Sequence, residues 1–440
     1  MKMLHRIISI FTSLRLTVAC LAAALILIFV GTLAQVQVGL YAAQTSFFRS
    51  FFVYWTPPGT HWKIPVLPGG WLLGLVLLVN LLAAHIKRFK FTPKKYGIIL
   101  IHGGLIFLLL GQFLTELFQV ESTMRLEVGE TKNYVEDSRR NELAVIDVTD
   151  PKSDKVVAIP ESLLANGGEI RTPELPFSLD VEKFFPNSKP AGPMSGAGEK
   201  IKAADGIGRR LLFASAPITR SMDEINQPAA LIKVVSSKGP VGEWSVSTWT
   251  TWLPRYPFVE LLRELNSLMG GVSLTAPQSF TYAGRNYQIA LRPARYYKPY
   301  SITLLAFTHD IYAGTDIPKN FSSKIHLNDP SRGEDRDILI YMNNPFRYHG
   351  ETFYQASFEP NELEPGHDRV TVLQVVRNPA SITPYVACSL IALGLVVQFL
   401  MHLFSFARKR AQQTKAPLNK RVPAAPVLEP IASNGRRSRL

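Results

Sequence analysis

The chain has 440 residues, an apolar fraction of 47% and a formal net charge of +14. Such a charge suggests nucleic acid, but the basic residues fall in three short stretches beside apolar segments, so no nucleic acid is expected as a partner. The two cysteines, Cys20 and Cys388, lie within apolar segments, and no CxxCH motif occurs, which argues against a disulfide-stabilised domain and a c-type cytochrome.

Four apolar segments dominate the chain. They occupy residues 14–35, 71–86, 96–118 and 382–406. Each is near the roughly 20 residues that a helix needs to cross a membrane, although the second is somewhat short. The sequence therefore predicts four transmembrane helices. The first is interpreted as an uncleaved span, because its apolar run is too long for a signal peptide.

The basic residues orient these spans. Residues 1–13, the loop 87–95 and the tail 407–440 carry an excess of lysine and arginine, with five basic residues in the loop alone. Because such segments stay on the cytoplasmic side, the sequence predicts a multi-pass protein with both termini in the cytoplasm. The basic flanks are expected to contact anionic lipid, and the tail is expected to be disordered.

Aromatic residues mark the first extracytoplasmic loop, which is predicted over residues 36–70. Phenylalanines paired at helical spacing predict a short amphipathic helix between Phe47 and Trp55, lying at the membrane interface. Simple anchoring of the chain explains these aromatics sufficiently.

Residues 119–381 differ in pattern from the spans. Apolar and polar side chains alternate between turn clusters, which predicts antiparallel strands. Residues 189–208 are predicted to form a loop, and residues 257–269 a helix. The predicted fold class is thus a membrane α-helical protein with four spans plus a β-rich extracytoplasmic domain.

His102 lies inside the third predicted span, roughly 9 Å from its start at Tyr96. An ionisable side chain at that depth is costly, so function is the default hypothesis, and neutral imidazole is a common axial ligand of haem iron. Gly103 beside it would let a flat ring approach. The alternative is a packing hydrogen bond to a residue such as Asn80 in the second span. His85 lies at the end of that span, where no special role is expected.

Four histidines stand in the predicted β-rich domain: His309, His326, His349 and His367. No two have the spacing of a metal site, so each is first interpreted as a strand or surface residue. Each is also a lower-ranked candidate for a haem contact. The sequence contains no GxxxxGK, HExxH or GxSxG motif, and no catalytic residue is predicted.

Several stretches resemble one known family. They are SLRLT at 13–17, LLVNLL at 77–82, YAGTDIPKNFSS at 312–323 and NPFRYHGETFYQASF at 344–358. With three apolar segments, a large polar segment and a final apolar segment, the layout resembles the ResB family, also called CcsB, of System II cytochrome c biogenesis. The similarity covers nearly all of residues 10–405.

The resemblance implies a role in haem handling. Members of that family lie in the bacterial inner (plasma) membrane and work with a polytopic partner of the ResC or CcsA type. The pair passes haem b transiently across the membrane to the thiols of apocytochrome c. In the family a histidine of the third span ligates haem together with one from the partner, and His102 occupies the matching place. By this resemblance, the chain is at most a non-catalytic or haem-handling subunit of a haem lyase complex.

Two other functions fit the sequence. A membrane-anchored scaffold for another respiratory assembly would bind no haem of its own, and His102 would then serve only in helix packing. A receptor for a small molecule would need a well-formed apolar pocket in the β-rich domain.

Overall fold

A computed structural model describes residues 9–60, 62–88, 92, 95–191, 198–219, 225–252, 277–312, 318–359 and 369–414. The chain divides into two compact units. The helical unit comprises Met1–Thr12, Asn80–Gly111 and Ile382–Leu440. The large unit comprises Ser13–Val79 and Gln112–Ser381.

Four long apolar helices occur in the described residues: α1 (Leu14–Val38), α2 (Gly70–Arg88), α3 (Tyr96–Phe118) and α4 (Thr383–Thr414). Each contains a stretch long and apolar enough to cross a membrane. The hydroxyl of Ser13 accepts a hydrogen bond from the backbone N–H of Arg15 and so caps the start of α1. The expectation of four long apolar helices is confirmed.

Glycines bring α3 and α4 together in the helical unit. Gly97, Gly104 and Gly111 recur every seven residues along α3 and are buried. A Cβ atom at Gly104 would lie 2.7 Å from Cγ1 of Ile391 and 2.8 Å from the carbonyl oxygen of Ala387. Small residues permit such close approach between apolar helices, so this glycine stripe is a helix–helix contact.

A β-hairpin lies between α1 and α2 in the large unit. The segment runs through the short helices Leu40–Ala43 and Gln44–Phe48 and then the antiparallel strands β1 (Phe52–Trp55) and β2 (Ile64–Pro68). The amphipathic helix predicted between Phe47 and Trp55 is therefore wrong beyond Phe48. Aromatic residues also suit strands, and a Pro-Pro-Gly turn at 57–59 favours a reversal of the chain.

The remainder of the large unit is a β-rich domain, as predicted. Its first strands are β3 (Val120–Glu127), β4 (Thr131–Asp147), β5 (Lys155–Pro160), β6 (Gly168–Ile170), β7 (Ser178–Phe185), β8 (Ser188–Ala191), β9 (Lys200–Ile201) and β10 (Leu212–Ser215). Its later strands are β11 (Ala229–Ser236), β12 (Gly239–Ser247), β13 (Gln278–Tyr282), β14 (Arg285–Ile311), β15 (Pro318–Asp329), β16 (Glu334–Tyr341), β17 (Phe346–Tyr348), β18 (Glu351–Glu359) and β19 (Val370–Arg377).

A ten-stranded sheet organises the described part of this domain. Its order is β16-β15-β14-β4-β3-β19-β18-β17, with β13 beside β14 and β5 beside β4. Two smaller sheets have the orders β12-β11-β7-β6 and β8-β10-β9. One buried cluster centres on Leu143 and Leu179, and a second on Leu126 and Leu373. The sheet brings β3, which follows α3, next to β19, which precedes α4.

Two local predictions in this domain have different outcomes. The loop predicted over residues 189–208 is wrong in part, because it contains the end of β8, all of β9 and the 3-10 turn Gly206–Arg209. Its small residues and prolines resemble a loop, but β10 supplies hydrogen-bond partners to both short strands. The helix predicted over residues 257–269 lies outside the described residues.

Candidate functional site

Two histidines of the helical unit share one hydrogen-bonding arrangement. Nδ1 of His102 lies 2.9 Å from the carbonyl oxygen of Ile98, one turn earlier in α3. Nδ1 of His85 lies 3.1 Å from the carbonyl oxygen of Leu81 in α2. A carbonyl oxygen only accepts, so in both rings Nδ1 carries the hydrogen and donates it. In a neutral ring the lone pair then lies on Nε2, as in most metal-ligating histidines.

The two rings are neighbours. Their centroids lie 5.0 Å apart, with the ring planes inclined by 50°, and both side chains are partly buried. His85, for which the sequence suggested no special role, thus lies against His102 and is partly buried. A signal was present in the sequence: one residue separates His85 from the basic loop 87–95, six residues separate the loop from His102, and a short loop brings such positions together.

The amide of Asn80 binds the backbone of the segment that precedes α1. Its Nδ2 donates a hydrogen bond of 2.7 Å to the carbonyl oxygen of Phe11. Nζ of Lys87 donates a hydrogen bond of 3.4 Å to the hydroxyl of Thr12 nearby. These bonds attach the segment before α1 to α2.

The surface of α3 beside His102 is open. A Cβ atom at Gly103 would meet no described atom within 4 Å, whereas the neighbouring Gly104 is packed against α4. The glycine stripe therefore forms the contact with α4, whereas Gly103 leaves space next to the imidazole.

These residues fit haem iron. His102 has an imidazole whose orientation is fixed by its hydrogen bond to Ile98, and a Cβ atom at Gly103 beside it would meet no described atom within 4 Å. His402 on α4 has a different arrangement, because its Nε2 is 2.8 Å from Nε2 of Gln398 and is engaged in that hydrogen bond. Within the described helical unit, His102 is therefore the residue that could hold haem iron.

Two histidines of the β-rich domain sit on strand surfaces. The ring of His309 stacks on Phe321, with centroids 4.6 Å apart, and also packs on Phe358 at 4.3 Å. His326 lies between two carboxylates, with Nε2 3.1 Å from Asp335 and Nδ1 2.9 Å from Asp337. Hydrogen bonds from His326 and from Lys324 lower the pKa of Asp337. Both environments are those of structural strand residues.

His349 occupies a distinctive position at the turn between β17 and β18. Its backbone has φ = 49°, a left-handed conformation, and Gly350 follows with φ = 74°. Nε2 of His349 lies 3.2 Å from Oδ2 of Asp329, whose side chain is fully buried. Hydrogen bonds from Ser331 and Tyr348 hold the pKa of Asp329 at about 2. A carboxylate on one nitrogen of an imidazole orients the other nitrogen outward.

The structure thus gives different surroundings to the three histidines of this domain that it describes. His349 lies in the NPFRYHGETFYQASF stretch and is oriented by a buried carboxylate, whereas His309 and His326 are strand residues. His367 lies outside the described residues.

The described part of the chain defines the class of protein: four long apolar helices, a β-rich domain before the last of them, and two neighbouring histidines on two of the helices. The ResB-like family matches this chain over residues 261–367, a segment that contains both longer sequence motifs. The resemblance to the ResB or CcsB family noted from the sequence is thereby confirmed for this segment.

A curated relative also matches. Protein NrfI of Wolinella succinogenes is 29% identical over 146 residues. The matched part covers 33% of this chain but 15% of NrfI, so this chain corresponds to a small part of that relative.

Proposed function

We propose that this chain is a cytochrome c biogenesis subunit that assists haem delivery across a membrane and haem attachment to apocytochrome c. The observation that carries the proposal is the environment of His102, a partly buried imidazole oriented by Ile98 beside the open position at Gly103. The resemblance to the ResB family supplies the class of cargo, haem b.

The chain would hold haem rather than transform it. His102 would hold the iron, and its Nδ1–H bond to Ile98 would keep the ring from rotating away. The bonds to the protein cargo would form between cysteine thiols of apocytochrome c and the haem vinyl groups, chemistry that belongs to haem and cysteine. The role of this chain is to bind and orient.

The same proposal includes the membrane arrangement. The basic residues beside α2, α3 and α4 favour cytoplasmic termini, contact with anionic lipid and a β-rich domain outside the cytoplasm. A membrane partner of the ResC or CcsA type would contribute the haem-handling residues that this sequence lacks. The β-rich domain would dock that partner or the apocytochrome.

The alternative of a small-molecule receptor receives little support from the described cavities. Two clefts in the β-rich domain have volumes of about 340 and 290 Å³, near the lower end for ligand sites. Charged residues line both, including Asp147 and Arg285 in the first and Arg125 and Glu359 in the second. Neither is a large apolar pocket.

The test is haem content and cytochrome c formation in one strain. The full chain is co-expressed with a ResC/CcsA-type partner and a c-type apocytochrome, as wild type, His102→Ala and His402→Ala. We expect His102→Ala to lower both the haem absorbance of the purified complex and the amount of c-type cytochrome, while His402→Ala matches wild type. Equal haem and cytochrome in all three would overturn the haem role and favour the scaffold function.

A further inference from the structure

A buried carboxylate fixes the imidazole of His349. Oδ2 of Asp329 lies 3.2 Å from Nε2 of His349 and accepts a hydrogen bond of 2.7 Å from the hydroxyl of Tyr348. Oδ1 accepts two more, from the hydroxyl and the backbone N–H of Ser331. An ionised carboxylate only accepts, so Nε2 of His349 carries the hydrogen, and in the neutral ring the lone pair lies on Nδ1.

The same imidazole reaches the surface. Its side chain is 26% exposed, whereas that of Asp329 is fully buried. The ring packs against Tyr300 and Tyr348, with centroids 5.4 and 4.8 Å away, and these contacts hold its plane. The backbone of His349 has φ = 49°, and residues other than glycine are kept in such conformations chiefly at functional sites.

The turn that carries His349 lies at one particular end of the large sheet. Tyr348 pairs with Glu351 across the turn, Glu351 pairs with Arg377, and Arg377 pairs with Val120. Val120 follows the last residue of α3 by two positions, and Arg377 precedes α4 by six. The imidazole is therefore at the end of the sheet where the chain leaves one apolar helix and returns to the next.

The charges around the ring suit a proton acceptor. The titratable and charged groups that surround it come from the neighbouring strands and one turn: Asp329, Tyr300, Tyr348, Glu351, Lys298 and Arg332. Glu351 and Lys298 form an ion pair with each other. Asp329 is hydrogen-bonded to the imidazole itself, and a carboxylate in that position stabilises the imidazolium that forms when the ring takes up a proton.

We propose that His349, oriented by Asp329, accepts the proton of a cysteine thiol of apocytochrome c as that thiol adds to a haem vinyl group. The S–H bond breaks, the sulfur forms a bond to the inner vinyl carbon, and the imidazolium returns the proton to the terminal vinyl carbon. One S–H has then been added across one C=C bond, without oxidant or reductant. The inference rests on the proposed function and adds a proton acceptor to it, with Asp329 as a positioning residue.

The test measures the rate of haem attachment as a function of pH. The full chain is purified with a ResC/CcsA-type partner and supplied with haem b and reduced apocytochrome c. A free thiol has a pKa of about 8.5, so near pH 7 only a few per cent of it is ionised. We expect His349→Asn to be at least about tenfold slower than wild type at pH 7. The difference should fall below about threefold by pH 9, where the thiol ionises unaided.

Two variants at this position suit the turn. Asparagine and glycine both tolerate positive φ, so His349→Asn and His349→Gly should keep the melting temperature and the haem absorbance of the wild-type complex. Added imidazole should accelerate His349→Gly, because it fits the space left by the side chain and accepts the proton there. His326→Asn is the matched control, and its rate should follow wild type at every pH with and without imidazole.

Each other outcome overturns the role of His349 as proton acceptor. Wild-type rates in both variants would do so, as would a deficit that neither alkaline pH nor imidazole reduces, whether or not the melting temperature falls. A changed haem absorbance in these variants would make the imidazole an iron contact instead. The proposed function fails separately: wild type would then carry no haem and attach none. If only proton transfer is rejected, wild type still attaches haem and His102→Ala does not.

Discussion

Gly103 and Gly104 are consecutive residues of α3 with opposite surroundings. A Cβ atom at Gly104 would press on Ile391 and on the carbonyl oxygen of Ala387, whereas one at Gly103 would meet no described atom within 4 Å. Gly104 therefore holds α3 against α4, whereas Gly103 leaves space beside His102.

Alanine at these two positions should have opposite effects on stability. Gly104→Ala forces a backbone or core atom to move, and we expect a loss of about 1–3 kcal/mol. Gly103→Ala adds a methyl group in open space and restricts the unfolded chain, so it should be neutral or stabilising by up to about 1 kcal/mol. Thermal unfolding of the full chain in detergent measures both, and equal losses would contradict the assignment of the glycine stripe to α4.

A larger side chain at Gly103 tests the haem site instead of the fold. Gly103→Leu should fold with near-normal stability, because its neighbourhood is open, but should obstruct a planar ring next to His102. We expect at least about tenfold weaker haem binding, measured by absorbance titration. Gly74 on α2 is equally open, so Gly74→Leu serves as the control, and unchanged binding in both variants would count against a haem position at Gly103.

Acid should weaken the β-rich domain through Asp329. Ser331 and Tyr348 donate hydrogen bonds to this buried carboxylate and hold its pKa at about 2, below the unfolded value of about 3.9. A carboxyl group with a lowered folded pKa stabilises the fold above its unfolded pKa, and that contribution disappears as pH falls through the folded pKa. Asp329→Asn should thus have a lower melting temperature at pH 7, and the difference should shrink between pH 5 and pH 2.

The exposed Asp154 in the turn before β5 provides the comparison for this pH profile. Asp154→Asn should follow the wild-type melting temperature at every pH. A difference between wild type and Asp329→Asn that stays constant down to pH 2 would show that titration of Asp329 is not the cause.

Breaking a buried ion pair should destabilise the same domain strongly. Arg292 and Glu142 pair at 3.0 Å across β14 and β4, with side chains only 5% and 9% exposed. Glu142→Gln leaves the guanidinium buried without its counter-charge, so we expect a loss of about 3–5 kcal/mol in denaturant unfolding. The exposed pair of Arg171 and Glu169 is the control, and Glu169→Gln should lower stability far less, because solvent screens that pair. Equal losses of stability in Glu142→Gln and Glu169→Gln would contradict the idea that burial makes the first pair the more important one.

The large-scale fold could be predicted from the sequence because its signals are local. Long apolar runs specify α1 to α4, and alternation of apolar and polar residues specifies the strands. The hairpin β1–β2 was missed because aromatic pairs fit both a helix and a strand, and the choice depends on pairing with Ile64–Pro68. Strand pairing across long sequence separations likewise joins β3 to β19, which no local pattern encodes.

The candidate site was only half predictable. His102 was found because a histidine inside an apolar segment is unusual in itself. His85 was missed because its significance arises from a neighbour 17 residues away in sequence, and a histidine near a basic loop has an ordinary explanation. The burial of Asp329 beneath His349 likewise depends on tertiary structure, since β15 and the β17–β18 turn meet only in the folded sheet.

His349 permits a test of function that leaves the fold intact. The turn has φ = 49° at His349 and φ = 74° at Gly350, values that favour asparagine followed by glycine. His349→Asn should therefore keep or raise the melting temperature while removing the imidazole. His349→Val should lower it, because a β-branched residue tolerates positive φ poorly. Thermal unfolding of the full chain distinguishes the two.

Cytochrome c formation with these variants decides whether the imidazole acts on haem. If it does, His349→Asn should form less c-type cytochrome than wild type despite its normal stability, because Asp329 would then orient no ligand. His326→Asn is the matched control, since that ring only bridges Asp335 and Asp337 on a strand surface. Normal cytochrome formation in a stable His349→Asn variant would assign His349 to the turn alone and leave His102 as the proposed haem ligand.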